Sequence, residues 1–140
     1  MNQGKCRPIG VLLGTLGAVE NKLEAVLEPV GLSLAKFNAI SQLCQAQEPL
    51  PLSALAERCA CVRSNITQLV DRLESDGLVV RSHDPKDRRS VRAEVTSEGR
   101  SRYQSGSKIL EEAELRLFSP LNPQERENLL ASLNTLKEAL

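Results

Sequence analysis

The chain is 140 residues long, with 18 Lys and Arg balanced by 18 Asp and Glu, two Phe, one Tyr and no Trp, so Leu, Val, Ile and Ala must fill the core of one ordinary domain. No apolar run approaches the ~20 residues that cross a bilayer, and the start MNQGKCRPIG lacks the apolar centre and cleavage pattern of a signal peptide. A cytoplasmic protein with no membrane partner is expected.

From Ile9 to Val30, apolar residues recur at Ile9, Leu12, Leu13, Leu16, Val19, Leu23, Val26 and Leu27, the stripe of an amphipathic helix. Gly10, Gly14 and Gly17 weaken it, each by roughly 1 kcal/mol relative to Ala, so it needs packing partners. One reading is a core helix with thin spots where a neighbouring backbone comes close. Pro29 and Gly31 end this helix, and Ser33 is placed to cap the next, whose apolar side is Phe37, Ile40, Leu43 and Cys44. Residues 47–51 read as a loop, because Pro49 and Pro51 bar helix continuation.

A pair of short helices follows. Leu52, Leu55, Ala56 and Cys59 face inward from the first, and residues 60–62 make a tight turn. In the second, Ile66, Leu69, Val70 and Leu73 bury one face and leave Ser64, Gln68, Asp71, Arg72 and Ser75 on the other. Gly77 stops it. Residues 78–81 read as a strand, Asp84-Pro85-Lys86-Asp87 as a turn and Ser90 to Val95 as the returning strand, which makes a helix-turn-helix with a β-hairpin wing. Zero net charge hides a local excess here: residues 58–92 hold eight Lys/Arg against five Asp/Glu, whereas residues 103–140 hold four against six.

Thr96 is placed to cap a long helix with Tyr103, Ile109, Leu110, Ala113, Leu117 and Phe118 on its apolar side. Asn122-Pro123-Gln124-Glu125 carries the residues of a capping box and opens a last helix with Leu129, Leu130, Leu133, Leu136 and Leu140. Burial within one chain and association between chains both account for that leucine seam.

The run LSALAERCACVRSNITQLVDRLESDGLVVRSHDPKDRRSVRAEVTSEGR resembles the winged-helix core of MarR-type (multiple antibiotic resistance regulator) transcription factors. The likeness rests on L-A-E-R in the first helix, T-x-x-V-D-x-L-E-x-x-G-L-V in the second, and the D-x-R wing followed by V-T-x-x-G-R. It implies a mainly α fold with a small β-hairpin wing, a winged helix-turn-helix over about residues 33–96. Dimerisation helices flank it over about 8–30 and 97–140 in a single domain spanning 1–140. It also implies a homodimer, which favours association over burial for the leucine seam and places the first helix in an intersubunit layer. Its partner would be double-stranded DNA carrying a pseudo-palindromic operator, and its usual mode is repression.

The second helix of the pair would then be the recognition helix, with Arg63, Ser64, Asn65, Thr67, Gln68 and Arg72 as the DNA-binding set. Asn and Gln pair with adenine, Arg with guanine or phosphate, and Ser or Thr with either. Val62 stands where relatives place a capping residue, so the helix is expected to start later, capped by Ser64. In the wing, the resemblance implies that Arg89 enters the minor groove, held by charge-assisted hydrogen bonds from Asp87 two residues earlier. A narrow groove concentrates negative potential, and a restrained guanidinium loses less entropy on insertion. Lys86, Arg88 and Arg92 flank it as phosphate contacts or solvated charges.

Release by a small effector is a further implication, with Phe37, Ile40 and Tyr103 as candidate lining of its cleft. The four cysteines read as thiols rather than a disulfide framework. Cys59 and Cys61 are either core thiols or a redox switch beside the recognition helix. Cys6 lies near the reactive cysteine of peroxide-sensing relatives, which surround theirs with tyrosines that this chain lacks. No metal site is expected, because C-x-C is not zinc spacing and His83 stands alone in the hairpin. No nucleophile-base pair and no phosphate loop appear, so neither a cofactor nor enzymatic activity is expected. Two other readings stand beside the repressor: a dimeric partner or antirepressor module of the same fold that does not bind DNA, and a thiol-dependent enzyme.

Overall fold

The computed structural model describes residues 7–60 and 63–140, with the side chains of residues 63 and 64 outside that description. Helix α1 (Pro8–Leu27) opens on a proline, whose missing N–H costs nothing at a first helical position. It tightens into one 3₁₀ turn over Glu28–Val30, closed by Gly31 at φ +72°. Helix α2 (Leu34–Ala46) is capped as expected, the Ser33 hydroxyl accepting the Lys36 N–H at 3.1 Å. A second acceptor serves the same end, since Glu24 of α1 takes the Leu34 N–H at 3.0 Å.

Strand β1 (Leu50–Pro51) precedes α3 (Leu52–Arg58) and α4 (Arg63–Ser75); β2 (Val79–Asp84), β3 (Asp87–Val95), α5 (Ser97–Phe118) and α6 (Pro123–Ala139) complete the order. The sheet is antiparallel with order β1-β3-β2. Residues 47–51 are therefore not all loop: Leu50 pairs with Ala93 and Pro51 with Arg92, which adds a third strand to the hairpin. Proline is tolerated there because β1 is an edge.

The core is aliphatic. Leu27, Ile40, Leu43, Leu55, Ile66, Val70, Leu73, Leu78 and Val79 are fully buried where α2, α3 and α4 meet the sheet, and no described polar or charged side chain joins them. Phe37 and Tyr103 pack only against its rim, their rings stacked at 5.4 Å.

Thr96 joins the sheet to α5. Its hydroxyl accepts the Gly99 N–H at 3.0 Å as the cap and donates to the Gly77 carbonyl at 2.7 Å, while its own N–H reaches the Leu78 carbonyl at 3.0 Å. At the start of α6 the capping box is complete, with Asn122 and Glu125 exchanging bonds of 2.9 and 2.8 Å.

The outer helices overturn the core-helix reading of the first one. Within one chain α1 buries only Leu27, and a Cβ at Gly10, Gly14 or Gly17 would meet nothing within 4 Å. No residue of α6 is buried. Val11, Leu12, Leu13 and Leu16 on α1 stand open to solvent, as do Leu130, Leu133 and Leu136 on α6. A groove of about 470 Å³ between α5 and α6, lined by Leu115, Phe118, Leu130 and Arg126, continues the apolar surface of α6. No described helix is long and apolar enough to cross a membrane.

Candidate nucleic-acid interface

Helix α4 divides cleanly. Ile66, Leu69, Val70 and Leu73 are buried, while Asn65, Thr67, Gln68 and Arg72 are exposed. Burying four aliphatic side chains contributes roughly 1.5–3 kcal/mol each before entropy is counted, enough to hold the helix while Asn65, Gln68 and Arg72 stay exposed. Its C-terminus is a Schellman turn: Gly77 adopts φ +73°, its N–H reaches the Glu74 carbonyl at 3.0 Å, and the Leu78 N–H reaches Leu73 at 2.9 Å. The helix begins at Arg63, so Ser64 lies inside its first turn and is not the N-cap. Cys61 and Val62 fall outside the described residues, as do the side chains of Arg63 and Ser64.

The wing turns at Pro85 and Lys86, between β2 and β3. The Asp84 carboxylate accepts the Lys86 N–H at 2.9 Å and pairs with Arg92 Nη2 at 2.8 Å. The backbone bond from Lys86, helped by the bond and charge of Arg92 and opposed by partial desolvation, holds the Asp84 carboxyl below the ordinary aspartate range. Arg92 is therefore a partly buried brace for the hairpin and not a solvated charge at its edge. Its Nε is buried and has no acceptor among the described residues.

Strand pairing jumps from His83↔Val91 to Asp84↔Asp87, which leaves Arg88, Arg89 and Ser90 without partners across the hairpin. Such an irregularity bends a strand and re-aims its side chains. The Asp87 carboxylate accepts the backbone N–H of Arg89 at 3.0 Å. It thus fixes the main chain beneath Arg89, where the expected bond was to the guanidinium. Lys86, Arg88 and Arg89 are exposed and form no ion pair among the described residues.

One contact set was not legible in the sequence. Arg81 of β2 donates to Glu74 and to the Thr67 carbonyl, and pairs with Asp71, all on α4. Just past the C-terminus of α4, Lys36 Nζ of α2 meets Asp76 at 2.7 Å. Thr67 and Arg89, from the helix and the wing, line one open recess of about 360 Å³ together with Arg81 and Ser90. Hydroxyl and guanidinium groups thus converge beside a helix of width suited to the major groove.

The other candidate residues lie apart. Ile40 is fully buried and cannot line an accessible cleft, which corrects that expectation, because its position on α2 places it in the core cluster. Phe37 and Tyr103 remain half-buried and cover each other, with Gly106 beneath Phe37, where a Cβ would stand 2.9 Å from the ring. Cys6 and Cys61 lie outside the described residues; Cys59 is half-buried at the end of α3 and packs against the core. Burial pushes the Cys44 thiol up, against the opposing charge of Arg100. His83 is exposed on β2, and no group of three or more His, Cys, Asp or Glu suited to a metal occurs among the described residues.

The sequence model of the MarR family matches residues 32–91. The HTH-type transcriptional regulator YkoM of Bacillus subtilis is 35% identical over 95 residues, which make up 68% of this chain and 62% of YkoM. The chain thus spans less than two thirds of that relative. The HTH-type transcriptional repressor Rv2887 of Mycobacterium tuberculosis is 30% identical over 122 residues, 86% of this chain and 87% of the repressor. Among solved structures, the repressor CouR bound to a 23-mer DNA duplex superposes with a TM-score of 0.89 at 27% identity, covering 98% of both chains. CouR from Rhodococcus jostii RHA1 bound to p-coumaroyl-CoA gives 0.78 at 29% identity, covering 96% of this chain and 94% of that one.

Proposed function

The chain belongs to the MarR family, and from that premise we propose that it is a cytoplasmic, homodimeric repressor of transcription that reads a pseudo-palindromic duplex. One observation carries the reading. The helix that buries Ile66, Leu69, Val70 and Leu73 leaves Asn65, Gln68 and Arg72 unobstructed, and beside it a bulged hairpin holds out Lys86, Arg88 and Arg89 without acidic partners among the described residues. In this reading α4 enters the major groove, with Arg63, Ser64, Asn65, Thr67, Gln68 and Arg72 toward bases and phosphates. The wing reaches the adjacent minor groove through Arg89, with Asp87 rigidifying its backbone.

The dimer is supported by the exposed aliphatic faces of α1 and α6, which water disfavours and a second copy would cover. Such a dimer would present two α4 helices and two wings to one duplex, as a two-fold operator requires. Relatives named as transcriptional regulators and repressors argue for the repressor over a thiol-dependent enzyme.

Release by a small effector is part of the proposal, supported by the CouR structure with p-coumaroyl-CoA and by the half-buried Phe37–Tyr103 stack between α2 and α5. Release by oxidation has Cys59 as its described candidate. Selection from a random duplex pool by the purified protein tests the core of the proposal. Enrichment of an inverted repeat, bound with an affinity that falls steeply as salt rises, is the expected result. No enrichment would favour the partner or antirepressor module.

A further inference from the structure

Among the described residues, Arg81 is the most heavily engaged cation near the proposed DNA surface. Its backbone N–H donates to Glu74 Oε2 at 3.0 Å, its Nη1 to Glu74 Oε1 at 3.2 Å and its Nη2 to the Thr67 carbonyl at 3.3 Å, and Nη2 also pairs with Asp71 Oδ1. Thr67, Asp71 and Glu74 stand at i, i+4 and i+7, so the guanidinium grips two turns of α4 along one stripe beside Gln68 and Arg72. The Arg81 backbone is meanwhile fixed in the sheet opposite Ala93 of β3, the strand that carries Arg89. Its charge is already answered by two carboxylates, and both terminal nitrogens have protein acceptors.

We propose that Arg81 is a positioning residue for DNA binding: it sets the angle between the recognition helix and the wing so that both reach their grooves at once, without itself contacting DNA. The inference rests on the DNA-binding reading above. A duplex offers its major groove and neighbouring minor groove at a fixed offset, so a hinge left loose between α4 and β2 would have to lose that freedom on binding. A guanidinium serves several acceptors in fixed directions; an ammonium on the same strand carries the charge without that planar fork.

Two variants separate positioning from simple charge. Arg81→Lys keeps the charge, and Asp71→Ala/Glu74→Ala removes two negative charges from the DNA-facing lobe while favouring the helix. Fluorescence anisotropy with the selected operator duplex measures both, with thermal melts to confirm folding. Arg81→Lys should bind about tenfold more weakly despite its retained charge, as expected when charged hydrogen bonds are lost. Asp71→Ala/Glu74→Ala should also bind more weakly, although charge alone predicts tighter binding. Removing Arg89 should cost a smaller fold-change in the Asp71→Ala/Glu74→Ala background than in the wild type, because the wing is already misaligned there.

Wild-type affinity in Arg81→Lys, or equal or tighter binding in the acidic double variant, would overturn the positioning role while leaving DNA binding intact. Failure of the wild type to bind any duplex would instead remove the DNA-binding reading, and this inference with it.

Discussion

Gly99→Ala is expected to spring the joint between the wing and the long helix. Gly99 lies in the first turn of α5, and a Cβ there would overlap the Leu78 carbonyl oxygen and come within 2.7 Å of Val95 Cγ2. Neither neighbour is a flexible tip. Leu78 is fully buried, its carbonyl already accepts the Thr96 N–H at 3.0 Å, and Val95 is held in register with Val79. The clash is relieved only by moving α5 off the sheet. Overpacking of this kind costs roughly 1–3 kcal/mol, and stretching the Thr96–Leu78 bond adds on the order of 1 kcal/mol. The greater helix propensity of Ala returns at most about 1 kcal/mol. A net loss of about 2 kcal/mol lowers the melting temperature of a chain this size by on the order of 6 °C. Circular-dichroism melts at matched protomer concentration measure it, since association makes melting concentration-dependent. Exposed Ser101→Ala in the same helix serves as control. A Gly99→Ala melt within about 1 °C of wild type would refute the packing argument.

Arg89→Ala should cut operator affinity at least about tenfold, as the loss of a charge-assisted contact does, with little change in melting, because the side chain forms no ion pair among the described residues. Gel shift and thermal melt together check this, and unchanged affinity would take the wing out of the mechanism. Leu133→Arg, on the exposed face of α6, should convert a dimer to monomer in sedimentation equilibrium; an undiminished dimer would locate the interface elsewhere. Asp84 has its folded-state pKa lowered, so its contribution is fully present above the ordinary aspartate value and is lost as pH falls through the lowered one. The stability gap between wild type and Asp84→Asn should therefore close on acidification across that window, and a gap independent of pH would contradict the assignment. Cys44, its thiol pushed up by burial, should alkylate with iodoacetamide far more slowly in native than in urea-unfolded protein at neutral pH. Equal rates would show that burial does not protect it.

What could be read along the chain was whatever is decided within a few residues. The i, i+3, i+4 spacing of Ile66, Leu69, Val70 and Leu73 requires one buried face whatever lies against it, and all four are buried. Ser33, Thr96 and Asn122 cap their helices because a short oxygen three residues before a free N–H is a local arrangement. Gly77 takes the left-handed turn for the same reason. The V-T-x-x-G-R pattern marks Gly99 as part of a motif, but its cause, the carbonyl of Leu78 pressed against it, comes from the chain entering the hairpin, which strand pairing sets beside the chain leaving it.

Tertiary structure alone decided the rest. A two-residue strand such as Leu50–Pro51 has no period to detect and exists only because residues 92 and 93 arrive beside it. Arg81 is separated from Asp71 and Glu74 by a glycine turn, and the geometry of that turn, not the spacing, brings it back along α4. Arg92 reads as one more wing cation along the chain, and only strand pairing, which sets it opposite Ser82, brings it within reach of Asp84 on the same strand as Ser82. Ile40 and the leucines of α6 share the same chemistry, yet one is sealed in the core and the others face outward, because apolar periodicity states that a face will be covered and leaves unsaid by what. Local spacing is set by covalent geometry, whereas the identity of a distant partner depends on how every intervening turn directs the chain.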